Sequence, residues 1–176
     1  NTYSDGNSVM ISGVNNGVSL VDVPMPPSGK WYAEITDIDS GSTGFIGGIG
    51  DPSQLYSDFL GKTSSGWGYQ TGSSSYRYWH NNSADGSGAI SGFGSYTILN
   101  VAVDRDAGRI WFGINGVWVN GGEPAIGSNY QYNNLPTTGD LNFGGSTQST
   151  KKVGINCGQR PFKFPPPEGF QALNYA

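Results

Sequence analysis

The chain has 176 residues, 35% hydrophobic and 13% aromatic, with 29 glycines and one cysteine. That length makes one domain, and rings that each bury roughly 150–250 Å² can build its core. Charged residues make up 12% with a net of −4, which excludes nucleic-acid binding through clustered Lys and Arg. No run approaches the roughly 20 apolar residues of a membrane span, and a lone cysteine excludes an internal disulfide.

Residues 1–27 read as N-terminal strands, 8–12 and 18–23, paired across Val14-Asn15-Asn16-Gly17. Pro24, Pro26 and Pro27 then stop the pairing, because proline has no N–H to give a sheet. Residues 30–38 read as a strand with Trp31, Ala33 and Ile35 on one side and Tyr32, Glu34, Thr36 and Ile38 on the other. A turn is expected at 37–42. Residues 51–62 are the least strand-like stretch of the middle. Asp51-Pro52-Ser53 can start a helix with Leu55, Phe59 and Leu60 as its apolar face, and a single helical turn or a loop fits equally. Residues 64–82 read as a hairpin with its tip at 71–75, followed by a polar, glycine-rich loop at 81–94.

The stretch 101–119, VAVDRDAGRIWFGINGVWV, is the most informative. Val101 and Val103, then Ile110, Phe112 and Ile114, then Val117 and Val119 alternate at a period of two. Asp106-Ala107-Gly108 and Asn115-Gly116 supply the turns of an antiparallel meander with one buried face. Residues 123–139 form a second long loop, and loops beyond roughly 12–15 residues are usually functional or mobile. Phe162, Phe164, Pro165 to Pro167, Phe170 and Leu173 let residues 162–176 pack as a C-terminal strap across one sheet. No internal repeat is visible, and the whole of 1–176 reads as one domain.

Catalysis finds little support. His80 is the only histidine, and no Gly-x-Ser-x-Gly elbow accompanies it. Glycoside cleavage needs two carboxyl groups roughly 5–9.5 Å apart across one cleft. Glu34 points away from Asp37 and Asp39 on a regular strand, and Glu123 and Glu168 lie in proline-flanked loops. Asp104-x-Asp106-x-Gly108 lacks the further donors of a calcium loop and reads as a hairpin turn. No metal or cofactor is expected, Lys151-Lys152 reads as a solvated loop, and Cys157 as a buried, inert thiol.

What remains is a set of aromatic and amide-rich loops. The candidate binding residues are Tyr56, Phe59, Trp79, His80, Asn81, Tyr130, Tyr132 and Asn133, on segments 51–62, 73–86 and 123–138. Tyr76, Tyr78 and Trp118 alternate on strands and are expected in the core. For Tyr130 and Tyr132, binding and loop packing both fit.

Several motifs carry a family resemblance. Ser28-Gly29-Lys30-Trp31-Tyr32-Ala33-Glu34-Ile35 is similar to an early SPRY-domain strand, and Phe45-Ile46-Gly47-Gly48-Ile49-Gly50 to the next. Trp67-Gly68-Tyr69 and Tyr76-Arg77-Tyr78-Trp79-His80-Asn81 resemble the hairpin that follows, and the 101–119 meander the family's middle. Asn156-Cys157-Gly158-Gln159-Arg160-Pro161-Phe162 is similar to the family's Asn-Phe-Gly-x-x-Pro-Phe element, with Cys157 where an aromatic is usual. The matches run in family order from about Ser28 to about Phe170.

The resemblance implies an all-β, antiparallel β-sandwich of jelly-roll, concanavalin-like type that binds partners through loops. The ending Pro-Pro-Glu-Gly-Phe-Gln-Ala-Leu-Asn resembles SPRY-like domains of bacteriophage virion proteins. With a surface rich in Ser, Thr, Asn and Gly, this leads to the expectation of a noncatalytic module on a virion surface, outside the cell. Its partner would be a protein or glycan on a host, or another virion protein. A carbohydrate-binding lectin, a decoration or homo-oligomerisation domain and an intracellular peptide-binding adaptor are the alternatives. An N-terminal Asn1 fits a processed protein or a segment of a longer one.

Overall fold

The computed structural model describes residues 2–4, 9–11, 17–38, 44–72, 76–86, 97–147 and 152–173, with the backbone alone for 2–4, 9–11 and Tyr56. Its strands are β1 (Thr2–Ser4), β2 (Val9–Ile11), β3 (Gly17–Leu20), β4 (Lys30–Asp37), β5 (Phe45–Gly50), β6 (Gly66–Gln70) and β7 (Arg77–His80). They continue as β8 (Ser83–Asp85), β9 (Ile98–Asp104), β10 (Arg109–Ile114), β11 (Val117–Trp118), β12 (Asn142–Thr147), β13 (Lys152–Asn156) and β14 (Gln171–Ala172). One sheet runs β1-β2-β13-β4-β9-β10-β11, with β14 also paired to β4, and the other β3-β12-β5-β6-β7-β8. All pairings are antiparallel except β14 with β4. The architecture is the expected β-sandwich.

Alternation and register together build the core. Ile155, Ile35, Leu99 and Ile114 face one another in a row across four strands of the first sheet. Ala33, Val101 and Phe112 form the next row. From the second sheet, Phe143, Ile49 and Trp67 form a matching row, and all of these side chains are buried in one cluster. Gly47 sets the sheet spacing, because a Cβ there would lie 2.6 Å from Leu99 Cδ2 of the opposite sheet.

The meander at 101–119 folds as its sequence predicts. Asn115 and Gly116 take positive φ values of 48° and 82° between the paired Ile114 and Val117, the geometry a two-residue hairpin demands. Its second face is buried too. Tyr32, Ala102 and Trp111 form a row on the outside of the first sheet, covered by Phe162 and Phe170 of the strap. Val117, on the edge strand, departs from the expected buried set and is 60% exposed.

Glu34 anchors this strap. Its buried carboxylate accepts the Phe164 N–H at 2.8 Å and the Lys163 N–H at 3.0 Å. The Tyr32 hydroxyl donates to the same carboxylate at 3.3 Å and accepts from Asn100 Nδ2 at 2.7 Å. Burial, then the Glu34 charge, raises the Tyr32 pKa well above the usual phenol value. Towards its end the strap supplies β14, which takes the stretch of β4 edge at Trp31 and Tyr32 that β13 leaves open.

Other expectations need correction. The strands expected at 8–12 and 18–23 do not pair with each other: β2 lies between β1 and β13 in the first sheet and β3 joins β12 in the second. The stretch 51–62 does hold a single helical turn, one of its expected forms: a 3-10 turn, Pro52–Tyr56, capped by Asp51, which accepts the Ser53 N–H at 2.8 Å. Its supposed apolar face is split, with Leu60 buried and Leu55 45% exposed. The loop expected from residue 81 begins as a turn with positive φ at Asn81 and Asn82 and continues as strand β8. The hairpin-tip residues 73–75, loop residues 87–94, Asp39 to Ser42, Lys151 and residues 174–176 lie outside the described residues.

Candidate functional site

Seven of the candidate residues fall in three places, and the side chain of the eighth, Tyr56, lies outside what the structure describes. The first is a polar corner where 51–65, β7 and the long loop meet. His80 stacks on Trp67 with ring centroids 4.8 Å apart. His80 Nδ1 lies 2.9 Å from Gly66 O, which can only accept, so Nδ1 carries the proton. Nε2 then accepts from Asn134 Nδ2 at 3.1 Å, while Asn134 Oδ1 accepts the Trp67 Nε1–H at 2.9 Å. The ring is thus held in one tautomer by partners on both nitrogens. Tyr132 also turns inward here, 6.3 Å from the Tyr78 ring and 5.5 Å from His80. Burial, with the charge of Asp85, raises its phenol pKa. Loop packing is therefore what the geometry gives Tyr132. Asn81 is exposed at its turn, with its N–H donating to Thr63 O.

The second place is an exposed rim. Tyr130, 38% exposed, lies edge-on to Trp111 at 6.3 Å and under the Arg109 guanidinium at 4.9 Å. Arg109 Nη1 donates to Gly127 O at 3.1 Å, which holds the guanidinium against the turn that carries Ile126, 73% exposed. Asn133 is exposed and donates to the Tyr130 hydroxyl at 3.4 Å.

The third place lies on the outer face of the second sheet. Phe59 and Trp79 meet edge-to-face at 5.0 Å and wall a cleft of ≈ 270 Å³ whose lining includes Ile46, Gln70, Ser146 and Thr147. Register explains the floor, since Ser146 pairs with Ile46 and Ile46 with Gln70 on adjacent strands. Trp79 Nε1 donates to Gln70 Oε1 at 2.7 Å, fixing both side chains. Ser146 Oγ accepts the Leu60 N–H at 3.1 Å.

The sequence singles out Phe59, Trp79, Tyr130 and Asn133, and the structure sets Gln70, Ser146, Arg109, Ile126 and Asn134 in the same three places. Outward strand positions occupied by Gln and Ser were the available signal. Tyr78 is buried and Tyr76 and Trp118 are partly buried, as expected of core aromatics. Cys157 is buried, and burial pushes its thiol up to about 12. Asp104 accepts the Ala107 N–H within the turn, and Asp106 accepts the Gly29 N–H, tying the turn to the segment that leads into β4. Among the described residues no group of three His, Cys, Asp or Glu side chains is placed to hold a metal, and no helix is long and apolar enough to cross a membrane.

The arrangement of strands is that of a SPRY domain. The crystal structure of the SPRY domain of human HERC1 matches with a TM-score of 0.63 at 18% identity, over 89% of this chain and 99% of that one. No protein-family profile matches the chain, and no curated protein matches it. At that identity the likeness defines the fold, and the site must be argued from these residues.

Proposed function

We propose that this SPRY-type sandwich is a noncatalytic recognition module that binds a partner protein through the Tyr130 rim. The observation that carries the reading is the pre-set stack of Trp111, Tyr130 and Arg109 beside the exposed Ile126. Tyr and Arg are enriched among residues that dominate protein interfaces, and a ring already held in place loses little entropy on binding. Glu34 supports a noncatalytic role, because its carboxylate is occupied by main-chain N–H groups. We place the module on a bacteriophage virion, attached to a host-surface receptor or to another virion protein. The low charge, the Ser- and Asn-rich surface and the phage-like C-terminal ending support that setting.

Purified domain binding to intact host bacteria and to virions lacking it tests the reading, with antibody labelling of whole virions for the location. Tyr130→Ala combined with Arg109→Ala should weaken binding by on the order of 1–4 kcal/mol without lowering the melting temperature much. Unchanged binding would refute the rim assignment, and unlabelled virions the location.

A further inference from the structure

We infer that the cleft on the outer face of the second sheet is a binding site for a neutral sugar ring. It is separate from the Tyr130 rim and does not depend on the protein-binding reading.

The chemistry of the lining selects this ligand class. Among the described lining residues none is ionisable, and the Lys62 ammonium beside the cleft is engaged over the Phe59 ring, 5.4 Å from its centroid, so a charged ligand would lose hydration on entry without a partner in the lining itself. A wholly apolar ligand would strip water from Gln70 and Ser146, which line the same space. A pyranose has an apolar C–H face and a periphery of hydroxyl groups. Phe59 and Trp79 stand at 70° to each other and offer ring surface to the C–H face. Gln70 and Ser146 offer the polar complement along the floor.

The polar groups are also pre-oriented. Because Gln70 Oε1 accepts from the Trp79 indole, its Nε2 is directed away from that contact as a donor to a ligand oxygen. Ser146 Oγ accepts from Leu60 N, which leaves its hydroxyl proton to donate. Side chains held by the protein's own bonds lose little freedom when a ligand arrives. The cleft, at ≈ 270 Å³, falls just below the roughly 300–1,000 Å³ of drug-sized pockets. One ring of a glycan fits that scale better than an extended chain.

The test titrates the domain with neutral monosaccharides (glucose, galactose, mannose and N-acetylglucosamine) up to roughly 50 mM, in the range where weak single-site binding is read. Acidic sugars and a Tyr-rich peptide are parallel arms, and amide and indole N–H chemical shifts are the readout. At least one neutral sugar should shift the Trp79 indole and the Gln70 and Ser146 signals. Trp79→Ala and, separately, Gln70→Leu should weaken that sugar by about tenfold or more, which is about 1.4 kcal/mol. Trp79→Phe should retain part of the binding, and the Tyr130→Ala domain all of it. Unchanged melting temperatures in Gln70→Leu and Trp79→Phe guard against misfolding. No response to any neutral sugar, response to acidic sugars or peptide alone, or shifts that survive both Trp79→Ala and Gln70→Leu would overturn the assignment.

Discussion

Replacing Glu34 tests how the strap is held. In the native domain one buried carboxylate accepts two main-chain N–H groups from residues 129 and 130 positions away. Hydrogen bonds to a charged group contribute about 1.5–3 kcal/mol each, against about 1 for a neutral pair. Glu34→Gln keeps one acceptor oxygen and turns an NH₂ toward the second N–H. One charged bond is lost and the other becomes neutral, so the expected loss is about 2–4 kcal/mol. Glu34→Ala removes both acceptors. Its loss is limited by what docking the strap contributes, because the segment can lift off and rehydrate. Phe170 is buried, and Phe162 and Phe164 are half-buried, worth together about 3–6 kcal/mol of gross burial. Urea unfolding measures the loss, and amide exchange at Lys163 and Phe164 reports the local release. A Glu34→Gln loss under about 0.5 kcal/mol, with both amides still protected, would refute this account.

Phe112→Ala should cost about 3–5 kcal/mol, since its ring is fully buried between the sheets, and a urea midpoint shift at unchanged slope checks it. Gly116→Ala should cost about 1–3 kcal/mol, because it combines a φ of 82° with a Cβ only 2.6 Å from the Phe164 ring; stability rising or unchanged would contradict it. Burial pushes the Tyr69 phenol up to about 12, and those of Tyr32, Tyr78 and Tyr132 also rise. Unfolded tyrosines ionise near 10 while the folded ones keep their protons, so stability is full below about pH 10 and falls above it, by up to about 1.4 kcal/mol per pH unit for each tyrosine. Denaturant melts at rising pH should show this decline, with tyrosinate absorbance of these rings appearing together with unfolding; four phenols titrating freely in the folded state would refute it.

The strands were legible because their side chains alternate and their turns carry Asn-Gly and Asp-Ala-Gly signals. Pairing was less so. Val9 to Ile11 and Val18 to Leu20 look like a local hairpin, yet Val9 to Ile11 lie between Thr2 to Ser4 and Lys152 to Gly154, and Val18 to Leu20 pair with Gly144 to Ser146, more than a hundred residues on. Nothing near the N-terminal strands encodes that choice. Glu34 reads as an acid on a strand, and its partners are peptide N–H groups that leave no mark in the sequence. Ile46, Gln70 and Ser146 become one floor only when β5 lies between β6 and β12. Tyr130 and Tyr132 are two residues apart, yet one lies on the rim under Arg109 and the other against Tyr78. Separating them required the bridge between Tyr132 and Ile110.

The shared edge of β4 also has a consequence in time. Its Glu34 to Asp37 portion waits for residues 153–156, and its Trp31 and Tyr32 portion for residues 171–172. During synthesis this apolar strand emerges early and has no lasting partner on that side until nearly all of the described chain has been made. Such long-range closure slows folding and leaves an edge open to stray strands. The domain is therefore most vulnerable to aggregation on the ribosome, and slower translation through the last third of the chain lengthens that exposure.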